Sequence, residues 1–311
     1  MKNDAAPAGC SVIILSYNGG AAIRETLTAV LSQETRRAVE VLVIDSGSSD
    51  RSIEYLRSLP IAIKEIPNES FGHGATRNLG ARLASHPLLV FMSQDAAPTD
   101  ARWLENLLAA LVDPKVGGVY GRQAPRNTHI CERFFLEKTY PSVAARRSLG
   151  PVQRPALKDL FFSNVNSACR REVWEQCPFD ESLVMSEDQQ WAKDVMGRGY
   201  EIVYEPQAAV YHSHNYGIIG VFKRYFDSGA SLRHVTGGKT GLSWRHNCAY
   251  VLEELRLAVR EESLLRAPYV LLYEAARMAG YSLGRLEPWI PLWVKKRLSS
   301  NPAFWSRSSR K

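Results

Sequence analysis

Polar side chains collect at three points where short apolar runs end. Ser16, Tyr17 and Asn18 close the run SVIILS, Asp45 to Asp50 (DSGSSD) follow VEVLVI, and Ser93, Gln94 and Asp95 follow LLVFM. Any one of these groups is ordinary turn chemistry, because Asp, Asn, Ser and Gly satisfy or relax a turning backbone. Three at equivalent positions point further. Ligands of open α/β sheets bind in the crevice at the carboxyl ends of the strands, so the recurrence implies one polar ligand held by several loops. Far along the chain, Glu187 and Asp188 open a helical stretch. Carboxylates there are favoured by the helix dipole, and one of them has the chemistry to take a proton from a hydroxyl group. His212 and His214 lie two residues apart and share a face if they stand on a strand; a lone histidine is more often structural.

The elements that must position these groups follow from periodicity. Apolar runs read as strands over Ser11–Ser16, Val39–Ile44, Ile61–Ile66, Leu88–Met92 and Gly117–Tyr120. Helical patterns fall between them, over Ala21–Ser32, from Ser49 or Asp50 to about Leu59, and over Ala75–Ala84 and Ala101–Leu111. Strands alternating with helices predict an α/β fold with a mostly parallel central sheet flanked by helices. Beyond it, Pro141–Pro155 reads as a loop, Asp188–Met196 as a helix, and Glu201–Tyr204 and Ala208–Tyr211 as short strands. A helical C-terminal extension runs from about Ser243 to Arg285, with Pro268 as a break.

Composition sets bounds on function. The chain has 311 residues, 45% hydrophobic and 23% charged, which suffices for a large core without staples. Five scattered cysteines (Cys10, Cys131, Cys169, Cys177 and Cys248) form no CxxC pair, which argues against a disulfide framework or zinc site and for a reducing cytoplasm. Met1–Gly9 has no apolar h-region, so no secretory leader is expected. The net charge of +7 is uneven: residues 1–238 hold 26 basic and 26 acidic side chains, and residues 239–311 hold 13 and 6. A basic tail on a neutral body suggests an anionic membrane surface as partner; its bland alternative is a solvated helix face or an oligomer interface. The charge is confined to the tail and no nucleic-acid motif occurs, so no nucleic-acid partner is expected.

The set LSYN (15–18), VIDSGSSD (43–50), ATRNLGA (75–81), FMSQDAAP (91–98), FDESLVMSED (179–188) and AVYHSH (209–214), in this order, resembles the family 2 glycosyltransferases. FGHGATRN (71–78), SQDAAP (93–98) and SEDQQWA (186–192) look more narrowly like the rhamnosyltransferases of that family. The resemblance covers about Cys10 to Gly238. It implies a GT-A fold over residues 1–238, with a nucleotide-binding half at about 10–122 and an acceptor half at about 123–238, followed by the basic helical region 239–311.

The resemblance also implies roles. Tyr17 would stack on a pyrimidine base, with Ser16, Asn18 and Gln94 beside it, and Asp45 would accept from the base N3–H. Ser48 and Asp50 would shape the turn. Arg77 would pair with the diphosphate, its bland alternative being a salt bridge. Most relatives carry Asp-x-Asp where this chain has Ser93-Gln94-Asp95, so a single carboxylate, Asp95, would hold a divalent metal with His212 and, secondarily, His214. That donor set suits Mg²⁺ or Mn²⁺. Asp188 would be the general base, and Glu187 would position the acceptor. His73, Asn166 and Trp191 would line the donor or acceptor sugar site, with Asn164 a further candidate and Trp191 equally readable as core. Apart from the resemblance, Arg224 and Arg233, on the basic stretch after His214, are candidates to close over the phosphates as a lid.

The resulting expectation is an inverting, metal-assisted transfer of L-rhamnose from dTDP-L-rhamnose. The acceptor would be a saccharide or lipid-linked saccharide of a surface polysaccharide (O-antigen-like), met by a cytoplasmic enzyme peripheral to the inner face of the membrane. The rival readings are the same fold with a UDP-sugar donor and a non-catalytic nucleotide-sugar-binding protein.

Overall fold

The computed structural model describes residues 7–150, 157–238 and 244–308. Its strands are β1 (Cys10–Ser16), β2 (Val39–Asp45), β3 (Ala62–Glu65), β4 (Leu88–Ser93), β5 (Ala97–Pro98), β6 (Val116–Ala124), β7 (Ala145–Arg147), β8 (Asn166–Arg170) and β9 (Glu201–Tyr211). Its helices are α1 (Gly20–Leu31), α2 (Ser52–Arg57), α3 (His73–Leu83), α4 (Trp103–Ala109), α5 (Ile130–Thr139), α6 (Arg171–Gln176), α7 (Glu187–Gly197), α8 (Ile218–Val235), α9 (Trp244–Glu261), α10 (Ala267–Arg285), α11 (Leu292–Leu298) and α12 (Pro302–Ser308).

The strands pair in the order β3-β2-β1-β4-β8-β6-β9-β5, with β7 against the free stretch of β9. The first four are parallel, as the alternating pattern predicts. Every residue of β1 is buried, because both faces of this part of the sheet are covered and only a continuous apolar run tolerates that. Its alternate side chains feed two cores. Ile13 and Leu15 join Phe91, Phe179 and Trp191 on one face; Val12 and Ile14 join Val43, Val90 and Trp103 on the other.

Past β4 the sheet turns mixed. β8 is antiparallel to both β4 and β6, and β6 is parallel to β9. The two short strands expected over 201–211 are one continuous strand. β8, α5 and α8 lie where no element was expected, and β7 occupies part of the expected 141–155 loop.

Pro268 marks a helix start: α9 ends at Glu261 and Pro268 sits in the first turn of α10, where its missing N–H costs nothing. α10 lies on α8 through glycine. A Cβ at Gly284 would stand 2.0 Å from the Phe226 carbonyl oxygen, one at Gly280 2.2 Å from that of Phe222, and one at Gly229 2.2 Å from that of Tyr281. The last two helices are pinned to α8 by Asp227, whose buried carboxylate accepts from the Ser300 N–H at 2.8 Å and hydroxyl at 2.5 Å. No helix among the described residues is long and apolar enough to cross a membrane.

Candidate active site

Strand register brings the first three polar groups together. Ser16 lies beside Asp45 in the β1–β2 ladder, and Leu15 beside Ser93 in the β1–β4 ladder, so three loops leave the sheet at one edge. They are stitched to one another. The Gln94 carboxamide accepts from the Tyr17 N–H at 2.8 Å and donates to the Tyr17 carbonyl at 3.1 Å. Asn18, in the left-handed region at φ 47° that asparagine tolerates, accepts from the Ser49 N–H at 2.8 Å. The Ser48 hydroxyl accepts from the Asn18 N–H at 2.8 Å and donates to Asp45 at 2.6 Å. The result presents the Tyr17 ring, 46% exposed, as an open face.

Two of these residues sit differently from the expectation. Asp45 is 1% exposed, and its Oδ1 accepts from the N–H groups of Gly47 and Ser48 at 3.1 and 2.8 Å. It builds the loop from within. Ser16 is 2% exposed and contributes its carbonyl, which accepts from the Ser46 N–H at 2.8 Å.

Asp95 and the histidines meet because β5 turns back along β9. Ala97 pairs with Tyr211 in that antiparallel ladder. Two residues before Ala97 therefore fall opposite two residues after Tyr211, which sets Asp95 between His212 and His214. Asp95 Oδ1 lies 3.5 Å from His212 Nε2, Asp95 Oδ2 lies 3.9 Å from His214 Nδ1, and one ligand atom from each of the three falls within 4.8 Å of the others. Burial lowers the pKa of His212, and burial followed by the neighbouring His212 lowers that of His214 to about 4. Both rings are therefore neutral near pH 7 and have a lone pair to give.

Gln123, on the neighbouring strand, decides which nitrogen of His212 gives it. Its amide nitrogen donates to the Ser163 hydroxyl at 2.9 Å and to Tyr140, so its oxygen is the atom 2.8 Å from His212 Nδ1. Nδ1 must then carry the proton, and Nε2 faces Asp95 unprotonated. A ligating histidine whose other nitrogen donates to an oxygen is the usual outer-shell arrangement of a metal site, and these residues fit a divalent cation on that ground. A cavity of about 220 Å³ lined by Glu25, Asp95, Arg126 and His212 opens beside them.

The carboxylate pair lies at the start of α7, where Ser186 holds φ at 61°. Such a conformation in a non-glycine residue persists only where its surroundings over-determine it. Glu187 is buried, and its Oε1 lies 2.7 Å from Arg77 Nη1. Burial opposes its charge, but Arg77 and then His73 outweigh that, so its pKa is lowered. Asp188 goes the other way. Burial first, and the adjacent Glu187 second, raise it to about 7. Its oxygens accept from the Asn164 N–H at 3.2 Å and the Gln189 N–H at 2.9 Å. Two neighbouring carboxyls with separated affinities for the proton mark an acid–base site. Asn164 and Ser163 join this end to the other: Ser163 bonds the Gln123 that orients His212, and the next backbone N–H bonds Asp188. Arg224 of α8, which is exposed, lies within electrostatic range of Asp188, His73, His212 and His214. His73 stands edge-on to Phe71 at 5.0 Å, and its pKa is lowered to about 4, chiefly by burial.

Several expected site residues are instead structural. Arg77 is 5% exposed and occupied by Glu187, so it is not presented to a diphosphate. It shares the inward face of α3 with Gly74 and Ala81. Trp191 is 1% exposed between Phe162 and Phe179, with its N–H donating to the Cys177 carbonyl; no face is left for a sugar. Asn166 is buried, accepting from the Trp103 N–H at 2.9 Å and donating to the Ala208 carbonyl at 2.7 Å. Arg233 stacks on Trp289 at 4.8 Å, within the C-terminal helices. Gln123, Tyr140 and Ser163 belong to the site and carry no motif that would have found them.

Residues 11–177 match the model of glycosyl transferase family 2. The chain is 30% identical to the O-antigen chain rhamnosyltransferase RfbN of Salmonella typhimurium, over 95% of this chain and 96% of that one. It is 29% identical to the O-antigen chain rhamnosyltransferase WbaN of Salmonella anatum, over 95% of each. Among solved structures it is similar in fold to a mannosyltransferase of Pyrobaculum calidifontis in complex with GDP-Man and Mn²⁺, with a TM-score of 0.55 at 18% identity over 98% of this chain and 86% of that one. It is likewise similar to residues 1–349 of S. aureus TarS in complex with UDP-GlcNAc, with a TM-score of 0.56 at 17% identity over 97% and 91%. These neighbours are GT-A glycosyltransferases. A match over more than half the chain, on a fold whose strand ends converge as that family requires, leads to one conclusion: the chain belongs to glycosyl transferase family 2 and is a glycosyltransferase.

Proposed function

We propose that the chain is an inverting rhamnosyltransferase that moves L-rhamnose from dTDP-L-rhamnose to a saccharide or lipid-linked saccharide acceptor in O-antigen-like synthesis, at the cytoplasmic face of a membrane. The observation that carries this reading is the identity of 30% and 29%, over 95% of this chain, with two O-antigen chain rhamnosyltransferases. In this reading residues 10–122 hold the donor and residues 123–238 the acceptor. The base lies against Tyr17 at the edge organised by Asp45. Asp95, His212 and His214 would hold a divalent cation, whose positive charge would offset that of the diphosphate oxygens.

Asp188 takes the proton of the acceptor hydroxyl. The hydroxyl oxygen bonds to the anomeric carbon on the face opposite the leaving group as the bond from that carbon to the diphosphate oxygen breaks. A β-L donor thus gives an α-L linkage. Arg224 offers its guanidinium to the charge that develops on the departing diphosphate, the task that Arg77, turned inward, leaves open. Glu187 keeps the negative charge of the pair and thereby keeps Asp188 basic enough to accept a proton near neutrality. The test is a donor panel. Purified enzyme is offered dTDP-L-rhamnose, UDP-glucose and UDP-GlcNAc with a rhamnosyl-accepting saccharide, and products are read by mass spectrometry with and without EDTA. Transfer from dTDP-L-rhamnose, lost with EDTA and restored by Mn²⁺ or Mg²⁺, is expected; transfer from a UDP-sugar alone would overturn the donor.

A further inference from the structure

Helix α10 is built inside out. Its acid, Glu274, is 2% exposed and pairs with Arg277 at 2.8 Å, and Arg277 stacks inward on Tyr225 and Tyr250 at 5.3 and 4.8 Å. Its remaining charge, Arg285, bonds the Gly238 carbonyl at 2.7 Å. The outward face carries Leu271, Leu272, Leu283 and Leu286, with Ala275 and Ala279 between them, all exposed. Steps of three and four residues keep these side chains on one stripe. The stripe runs the whole 19-residue helix, about 28 Å at the rise of an α-helix. It is extended at one end by Leu264 and Leu265, 71% and 87% exposed, and at the other by Trp289 and Trp293, 70% and 63% exposed. A helix with water on its outer face places its charges there and its leucines inward. A contiguous uncharged stripe of this length marks a surface that something covers.

The structure assigns that surface to an anionic lipid bilayer, with α10 lying in the plane of its headgroups and the stripe dipping among the acyl chains. The charge around it chooses lipid over a second copy of the chain. Arg256 and Arg260 of α9, Arg266 just ahead of α10 and Arg297 of α11 are exposed, with Glu262 beside Arg266 and Glu261 shared between Arg133 and Arg260. Among the described residues, Arg256, Lys296 and Arg297 stand outside the ion pairs of this region. A two-fold contact would bring these cations against their own copies, whereas anionic headgroups neutralise them. Indole rings among basic side chains suit the same boundary: Arg297 lies over Trp293 at 5.5 Å. The buried charges of α10, and the fact that no helix among the described residues is long and apolar enough to cross a membrane, fit a helix that lies on the surface. The docking face is separate from the sugar-transfer reading and holds whichever donor the cleft takes.

The experiment is co-sedimentation of the full chain with vesicles of phosphatidylcholine, with and without phosphatidylglycerol, beside the variant Leu272→Gln/Leu283→Gln/Leu286→Gln. The three sites are exposed and outside the cleft, so the variant retains its melting temperature and its turnover of a soluble acceptor, which certifies its fold. The parent is expected to bind the anionic vesicles, and the variant to bind at least about tenfold more weakly. Equal binding of parent and variant overturns the assignment, as does a parent that ignores anionic vesicles. A parent dimer that the variant converts to monomer, without vesicle binding by either, also overturns it and gives the stripe to self-association.

Discussion

Replacing Glu187 by glutamine isolates what keeps Asp188 near a pKa of 7. Burial and the Glu187 charge raise that carboxyl, and Arg77 lowers it. The amide removes the like charge and leaves Arg77, 2.7 Å from the replaced oxygen, uncompensated, so both changes push Asp188 down. Two unit charges about 6 Å apart at an effective dielectric near 20 interact by about 3 kcal/mol, or about two pH units. The burial contribution stays, which sets the new value at about 5. A base must be deprotonated to act, so activity rises as pH passes through its pKa. The acid limb of kcat/KM, centred near 7 in the parent, moves acidward by about two units in Glu187→Gln. The assay is initial rate against pH from about 5 to about 9, with saturating Mn²⁺ so that protons do not compete at His212 and His214. The variant also leaves Arg77 buried without its counter-charge, at a cost of up to about 3–5 kcal/mol. Rates are therefore taken below the melting onset, checked at each pH. A folded variant whose limb stays near 7, or moves to higher pH, refutes the pairing of these two carboxyls as the source of the basicity.

Asp188→Asn is expected to lower turnover by about 10²–10⁴-fold while donor affinity, read by titration calorimetry, is unchanged; ordinary turnover would remove Asp188 as the base. Gln123→Leu frees the Nδ1 proton of His212, and the Mn²⁺ concentration for half-maximal rate is expected to rise about 10–100-fold, with most of kcat recovered at saturation. An unchanged metal requirement would show that the tautomer is set elsewhere.

The sheet edge was legible in the sequence because its grammar is local. A buried parallel strand must be a continuous apolar run, and the polar residue after it marks where the run leaves the sheet. Asp95, His212 and His214 were likewise legible as residue types, though their meeting depends on the Ala97–Tyr211 register, which no local pattern encodes. Arg77 and Trp191 take the structural alternatives left open for them, an ion pair and the core, and Asn166 joins them inside, for one shared reason: residue type announces a chemistry but not the direction in which a side chain points. Arg77 lies in phase with Gly74 and Ala81, a spacing that already pointed inward. Trp191 sits one turn past Glu187 on the same face of α7, and that face is turned into the core. β8 was missed because it opens on Asn166 and Ser167, polar residues that a central strand holds only when, as here, their side chains find buried partners. Gln123 lies inside a strand with no motif around it, and its importance exists only in the bonds it makes.

The glycine contacts between α8 and α10 carry a mechanical corollary. At these three points main chain lies against main chain with no Cβ interposed, which leaves little there to compress, so the two helices tilt as one plank. Arg224 rides on that plank. On the proposed docking of α10, any tilt of that helix against a bilayer would be carried through α8 to Arg224 at the cleft.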